Sequence, residues 1–270
     1  MSRLLFRLTA AATLAVTAAS AVQAASCGNN ANGFNAWKQE FAAEAQRAGV
    51  GQRGIDALMN AQYSTGTIKA DRSQKGVKYS LNDFIRIRLG SVDGFAATAR
   101  KRLNQNPGFY NSLEQRYGVP AGILLAIHGM ETGFGRTMGS VPVVSSISTV
   151  AYDCRRSSFF TPHAIAALKM VDRGMLSPSQ KGAFHGELGH TQFLPGNALR
   201  YGADGNGDGR VDFYNQADAL ASTANYLRQK GWRPGQPYQE GTANFRVLNE
   251  WNAATVYQKA IALVAAEIDG

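Results

Sequence analysis

Residues 120 to 136 hold the pattern that most narrows what this chain can fold into. After Pro120, Ile123, Leu124 and Ile127 recur at helical spacing, and the run Gly129-Met130-Glu131-Thr132-Gly133-Phe134-Gly135-Arg136 follows. Glu131 lies four residues past Ile127 and seven past Leu124, so it continues their apolar stripe. A carboxylate there loses hydration, which raises its pKa. A carboxylic acid that keeps its proton near neutral pH can serve as a general acid. Gly129, Gly133 and Gly135 suggest open space where a ligand approaches the backbone. The plainer alternative is a buried Glu131 paired with a cation such as Arg136.

The N-terminus reads as an export signal rather than as fold. Arg3 and Arg7 mark a basic start, an Ala-rich apolar run continues through Val22, and Val22-Gln23-Ala24 offers small residues for cleavage after Ala24. Residues 1–24 are therefore expected to be a signal peptide, too short in its apolar part for a membrane span. Its removal takes away two arginines and no acids, so the net charge falls from +9 to +7. Residues 25–270 are long enough for one large domain. A basic, exported domain suits a polyanionic partner such as a cell wall. No nucleic-acid motif is present.

Cys27 and Cys154 are the two cysteines. In an exported chain an even count suggests one disulfide. The alternative is lipid attachment at Cys27, but Ala24-Ala25-Ser26 lacks the larger aliphatic residue that such a signal carries three positions earlier.

Periodicity and Gly/Pro punctuation predict a mainly helical chain. Helices are expected over 34–48, 54–63, 81–89, 92–103, 107–117, from Pro120 to the Glu131 run, and over 161–173, 216–230 and 245–268, the last as one or two. Pro120 suits a first helical turn. Residues 64–79 are polar and aperiodic and are expected to form an extended loop. Strand signal is confined to 141–144.

Two more motifs carry chemistry. Asp204-Gly205-Asn206-Gly207-Asp208-Gly209-Arg210 places side-chain oxygens at every second residue and a Gly at the sixth position. That is the first half of an EF-hand calcium loop, with the Arg210 carbonyl as a ligand. The closing bidentate Glu is missing: Asn215 stands at the twelfth position, and the next carboxylate is Asp218. The alternative is an Asn/Asp-rich turn without metal. The second motif is Gly186-Glu187-Leu188-Gly189-His190-Thr191-Gln192-Phe193-Leu194-Pro195, a polar loop leading into a helix. Glu187 is either a second acid or a solvent-facing residue. His185 and His190 lack the company that a zinc site requires. No nucleophile elbow surrounds Ser145, Ser146 or Ser148.

These segments, in this order, with Asp153-Cys154-Arg155-Arg156 between them and Ala224-Asn225-Tyr226-Leu227, Trp251-Asn252 and Tyr257 after them, resemble the lytic transglycosylase B family of murein-cleaving enzymes. The resemblance runs from about Phe34 to Ile268. It implies a mainly α, lysozyme-like domain with a deep glycan-binding groove and an EF-hand-like loop. It implies that Glu131 is the catalytic acid/base, that Gln192, Tyr226, Asn252, Tyr257 and Arg155 bind substrate, and that Asp204, Asn206, Asp208, Arg210 and Asp218 form a lengthened structural calcium loop. Ala183 departs from a Ser found beside the catalytic Glu in some members, Trp251 replaces a Tyr, and His190 takes a position often held by other small or polar residues.

The implied activity is cleavage of the MurNAc–GlcNAc β-1,4 bond of peptidoglycan with a 1,6-anhydro end, in the periplasm, by a monomer, without a catalytic cofactor. No second carboxylate nucleophile is evident from the sequence, which argues against the two-carboxylate scheme and for a substrate-assisted one. The rivals are a lysozyme-like hydrolase and a non-catalytic, calcium-dependent wall-binding protein.

Overall fold

The computed structural model describes residues 25–73 and 79–270, so the expected signal peptide lies outside the described residues. A 3-10 turn at Ala31–Gly33 leads into α1 (Phe34–Arg47), followed by α2 (Gln52–Asn60) and α3 (Thr65–Ser73). Then come α4 (Leu81–Arg88), α5 (Val92–Gln105), α6 (Pro107–Tyr117) and α7 (Ala121–Thr132). A two-residue strand β1 (Val141–Pro142) precedes α8 (Val143–Tyr152) and α9 (Ser157–Asp172). The second strand β2 (Lys181–Gly182), a 3-10 turn at Gly189–Thr191, α10 (Pro195–Tyr201), α11 (Gln216–Gln229), α12 (Ala243–Trp251) and α13 (Thr255–Asp269) complete the chain.

Helix α7 is the axis of the fold. Every residue from Ala121 to Met130 is buried. It packs on α13, α5, α6 and α11. Gly122 permits a close approach to α13: a Cβ there would meet the Ala265 carbonyl at 2.6 Å, and its N–H donates to Asp269 at 2.7 Å. Pro120 caps the start, and Gly133 ends the helix at φ +59°, a conformation that a Cβ disfavours. Glu131 is the one residue between Ala121 and Thr132 that is not buried. The expected apolar stripe is therefore a fully buried helix that opens at the carboxylate.

A second group of helices, α1, α2, α3, α8, α9 and α10, packs around α8 and α9. Helix α8 has no counterpart in the sequence reading. Its run Val143-Val144-Ser145-Ser146-Ile147-Ser148-Thr149-Val150 is β-branched and Ser-rich, a composition with weak helix propensity. Burial overrides that preference, because most of the helix is enclosed by its neighbours. Its hydroxyls serve the neighbouring chain: Ser145 Oγ and Thr149 Oγ1 accept the backbone N–H groups of Gln62 and Ser64, each at 3.0 Å.

Two further expectations are corrected. The stretch expected as a loop at 64–79 contains α3, whose Ile68, Thr67 and Asp71 are buried against α8. Its polar inward face hides the usual apolar period. Helix α9 begins at Ser157 rather than at 161 and carries Pro162 inside, so the missing N–H costs one bond without ending the helix.

Cys27 and Cys154 form a disulfide that spans 127 residues of sequence, with Cα atoms 5.0 Å apart. Backbone pairing flanks it, with Gly28 N–H donating to Tyr152 O and Cys154 N–H to Gly28 O, both at 3.0 Å. The N-terminal segment is thus stapled to the end of α8. Among the described residues no helix is long and apolar enough to cross a membrane.

Candidate active site

The open end of α7 meets three other segments. Antiparallel pairing of Val141 with Gly182 fixes the chain that enters the 183–194 loop. The loop then closes on itself: Leu188 N–H donates to Phe193 O at 2.8 Å and Phe193 N–H to Leu188 O at 3.1 Å. Gly189 is required inside this turn, since a Cβ there would lie 1.8 Å from Phe213 O. The Thr132 hydroxyl donates to His190 O at 2.7 Å, and His128 Nε2 meets His190 Nδ1 at 3.0 Å. Burial pushes the His128 pKa down to about 3, so this pair ties the loop to α7 as neutral rings.

Between the loop, α7, α10 and the α12–α13 junction lies a cavity of about 490 Å³. Glu131, Gln192, Tyr226 and Asn252 line it, together with Ala183, Phe184, His185, Glu187, Glu250 and Trp251. A second cavity of about 390 Å³ also reaches Glu131, and its walls carry Arg88 and Arg136. Glu131 is common to both.

Glu131 Oε1 accepts two hydrogen bonds, from the Tyr257 hydroxyl at 2.7 Å and from Trp251 Nε1 at 3.1 Å. Burial raises its pKa above the ordinary carboxyl range. The two donors pull the other way without reversing the shift, and the nearby Glu187 charge raises it further. The Tyr257 hydroxyl is held well above its usual value by burial and by Glu131, so it stays a donor. Arg136 does not pair with Glu131: its Nε donates to Gly133 O at 3.0 Å.

Glu187 shares the cavity with Glu131. Of the two readings open for Glu187, a second acid or a solvent-facing residue, its place in the cavity lining favours the first. The Glu187 pKa is lowered although burial opposes the charge, because the His185 ring and backbone N–H groups stabilise the anion. His185 Nδ1 lies 3.2 Å from Glu187 Oε1, and the His185 N–H donates to Oε2 at 2.9 Å. The other ring nitrogen lies 3.5 Å from Asp71, which also binds Arg155 at 2.6 Å and Arg156.

The other expected residues divide. Tyr226 is buried; its hydroxyl donates to Glu250 O at 2.5 Å, and its ring stands edge-on to Trp251, Phe193 and Tyr201. Gln192 adopts φ +54°, an unusual backbone state for a residue with a side chain, and donates to Gly189 O at 2.8 Å. Asn252 caps α12 and accepts from Ala254 N–H at 3.0 Å. Arg155 does not line either cavity, since Asp71 engages its guanidinium. The open space expected beside the glycines is present at Gly129 and Gly133, which line the second cavity, although a Cβ on Gly129 would strike the Phe95 ring at 2.2 Å; Gly135 instead packs on the His190 ring, where a Cβ would lie at 2.4 Å.

Sequence reasoning missed Trp251 as a partner of Glu131 and missed the line Glu187–His185–Asp71. The first was signalled by Trp251 standing where the family has a Tyr. The second joins residues more than a hundred positions apart, and no local pattern connects them.

The acidic loop lies elsewhere. Asp204 accepts the N–H groups of Gly207 at 2.6 Å and Gly209 at 2.8 Å, which hold its pKa below the ordinary range. Asn206 Oδ1 accepts from Asp208 N–H and Asp208 Oδ1 from Arg210 N–H, at 2.9 and 2.8 Å. Asp218, buried at the start of α11, accepts from Gly205, Asn206 and Asp212. The donor set is all oxygen, as a hard cation prefers. Among the described residues no three His, Cys, Asp or Glu side chains converge as metal ligands.

The family model for the transglycosylase SLT domain matches residues 33–242. The chain is 34% identical over 134 residues to membrane-bound lytic murein transglycosylase B of Escherichia coli K12; the match covers 49% of this chain and 37% of that relative. Its structure is similar to SltB3 from Pseudomonas aeruginosa in complex with NAG-anhNAM-pentapeptide, with TM-score 0.79, 27% identity, and coverage of 88% of this chain and 80% of that one. It is also similar in fold to Escherichia coli Slt35 in complex with calcium, with TM-score 0.76 at 22% identity, covering 91% of this chain and 96% of that one.

Proposed function

Because the chain belongs to the transglycosylase SLT domain family, we propose that it is a lytic transglycosylase that cleaves the MurNAc–GlcNAc β-1,4 bond of peptidoglycan, with Glu131 acting first as acid and then as base. The observation that carries this reading is the Glu131 carboxyl. It opens from a buried helix between two cavities, with a raised pKa and two donors on a single oxygen.

Tyr257 and Trp251 both meet Oε1, which leaves Oε2 to carry the proton of the neutral acid. Oε2 gives that proton to the glycosidic oxygen as the bond to C1 breaks and the leaving sugar departs as an alcohol. The N-acetyl oxygen of the same MurNAc supports the cation at C1. Glu131, now ionised and steadied by its two donors, removes the proton of the C6 hydroxyl. The C6 oxygen then bonds to C1 and closes the 1,6-anhydro ring. Protons balance within one residue, and no water enters. Both cavities that Glu131 lines offer room for sugars of the strand next to the carboxyl.

The Cys27–Cys154 disulfide and the expected signal over 1–24 support export to the periplasm. The oxygen donors of Asp204, Asn206, Asp208, Asp218 and the Arg210 carbonyl suit a structural calcium ion, which would brace the loop rather than take part in the reaction.

The test is the mass of muropeptides released from purified sacculi. Anhydro ends, one water lighter than hydrolysis products, are expected. Products that have gained water identify a hydrolase instead, and no release at all refutes a murein-cleaving role.

A further inference from the structure

We propose that Glu187 is a second working carboxylate of this site, an anion fixed in the Glu131 cavity that stabilises the positive charge developing at the sugar C1 as the glycosidic bond breaks. The proposal rests on the activity inferred above. It adds a residue which that mechanism does not use.

Glu187 and Glu131 line one cavity, and their environments pull the two carboxyls apart. Glu131 faces apolar burial with two neutral donors, and Glu187 faces a charged and hydrogen-bonded wall. The groups around Glu131 are Trp251 and Tyr257 from the α12–α13 junction, Arg88 from α4, and Glu187 itself. Glu187 is met by the His185 ring at 3.2 Å and by the His185 backbone N–H at 2.9 Å. Behind His185 stand Asp71 of α3 and the two arginines it binds, Arg155 and Arg156.

A carboxylate turned into a cavity beside a second acid disfavours ionisation of that acid. The side chain retains 23% exposure, so it is open to a ligand from the cavity while its partners hold it from behind. Gly186 at φ +82° and Gly189 at φ +61° set the turn that presents it. Pairs of carboxyls driven to opposite protonation states are how glycosidases divide acid and charge-stabilising roles. The anion acts twice: it keeps the proton on Glu131, and it faces the cation formed when that proton is spent.

The test is the pH profile of kcat and KM on sacculi for Glu187→Gln and Glu187→Asp, with Glu131→Gln as control. Glu187→Gln is expected to lower kcat at least tenfold with KM within about twofold. It should also move the alkaline fall of activity to lower pH, since the neighbouring charge is gone. Glu187→Asp keeps the charge and should keep the wild-type alkaline limb with intermediate kcat. A folded Glu187→Gln enzyme with unchanged kcat and unchanged alkaline limb overturns the proposal. Should Glu187→Gln fail to give the native circular dichroism spectrum, His185→Gln carries the test. It leaves the charge but frees its mooring, and an unchanged kcat there overturns the proposal too. A wild type inert on sacculi defeats the underlying activity. An active wild type with inert Glu131→Gln and indifferent Glu187→Gln defeats this inference alone.

Discussion

The cavity around Glu131 and the loop around Asp204 are both built on carboxylates, and they treat them in opposite ways. Glu131 is enclosed by apolar helix and by two neutral donors on one oxygen, and its pKa rises. Asp204 is half-buried and accepts two backbone N–H groups, and its pKa falls. In the proposed function the first region keeps a proton to give away and the second a charge to offer a cation. The residue type is nearly the same, and the surroundings decide the chemistry. Glu187 belongs to the second kind although it sits in the first region.

The largest effect that tests this contrast is Glu131→Gln. It keeps the shape and removes the proton donor, so turnover on sacculi should fall at least about a hundredfold while the fold is kept. The same variant has a stability signature. Glu131 holds its proton more tightly folded than unfolded, so wild-type stability should decline as pH rises from the unfolded carboxyl value through the folded one. Glu131→Gln should lose the Glu131 share of that decline and keep the share of Asp269 and Glu114, whose carboxyls burial also raises. Denaturant melts of both proteins across the range measure the difference, and a decline undiminished in the variant contradicts the raised Glu131 pKa.

Next in size is the disulfide. Its loop of 127 residues is worth about 5 kcal/mol in the chain-entropy model. The staple lies beside Asp153, Arg155 and Arg156, hence on the side of Asp71, His185 and Glu187 and not of the acidic loop. Reduction should lower the unfolding midpoint and leave any calcium response intact. A midpoint unmoved by reductant contradicts the staple.

The smallest effect concerns the loop alone. Calcium at a hundred times its Kd should stabilise the protein by about 2.7 kcal/mol through binding to the folded state only. Asp208→Ala should remove that gain without touching turnover, and Glu131→Gln should keep it. Identical melting temperatures with calcium and with chelator would leave the loop a metal-free turn.

Much of this contrast was legible in the chain. The helix ending at Glu131 could be read because its apolar spacing is local, and the alternating oxygens of 204–208 are local too. Helix α6 is found at the bounds its Pro107 and Gly118 suggest. What the sequence hid is long-range. Helix α8 forms against its own propensity because its neighbours bury it. The Trp251 bond to Glu131 spans 120 positions, and the Arg155 bond to Asp71 spans 84. Glu187 could be read as a second acid or as a solvent-facing residue, and nothing near it in sequence shows that it shares a cavity with Glu131 or that His185 beside it meets Asp71. The glycines beside Glu131 suggested room for a ligand; Gly129 and Gly133 do line the second cavity, while Gly135 is packed against the His190 ring.

The central claim is that the cavity keeps Glu131 protonated for its reaction while the exposed loop keeps Asp204 ionised. Site-resolved carboxyl titration by NMR, with the Glu131 signal assigned by its loss in Glu131→Gln, tests it directly. The account predicts that Glu131 titrates above the ordinary glutamate range and Asp204 below the ordinary aspartate range. A Glu131 carboxyl that titrates at or below the ordinary range would contradict it.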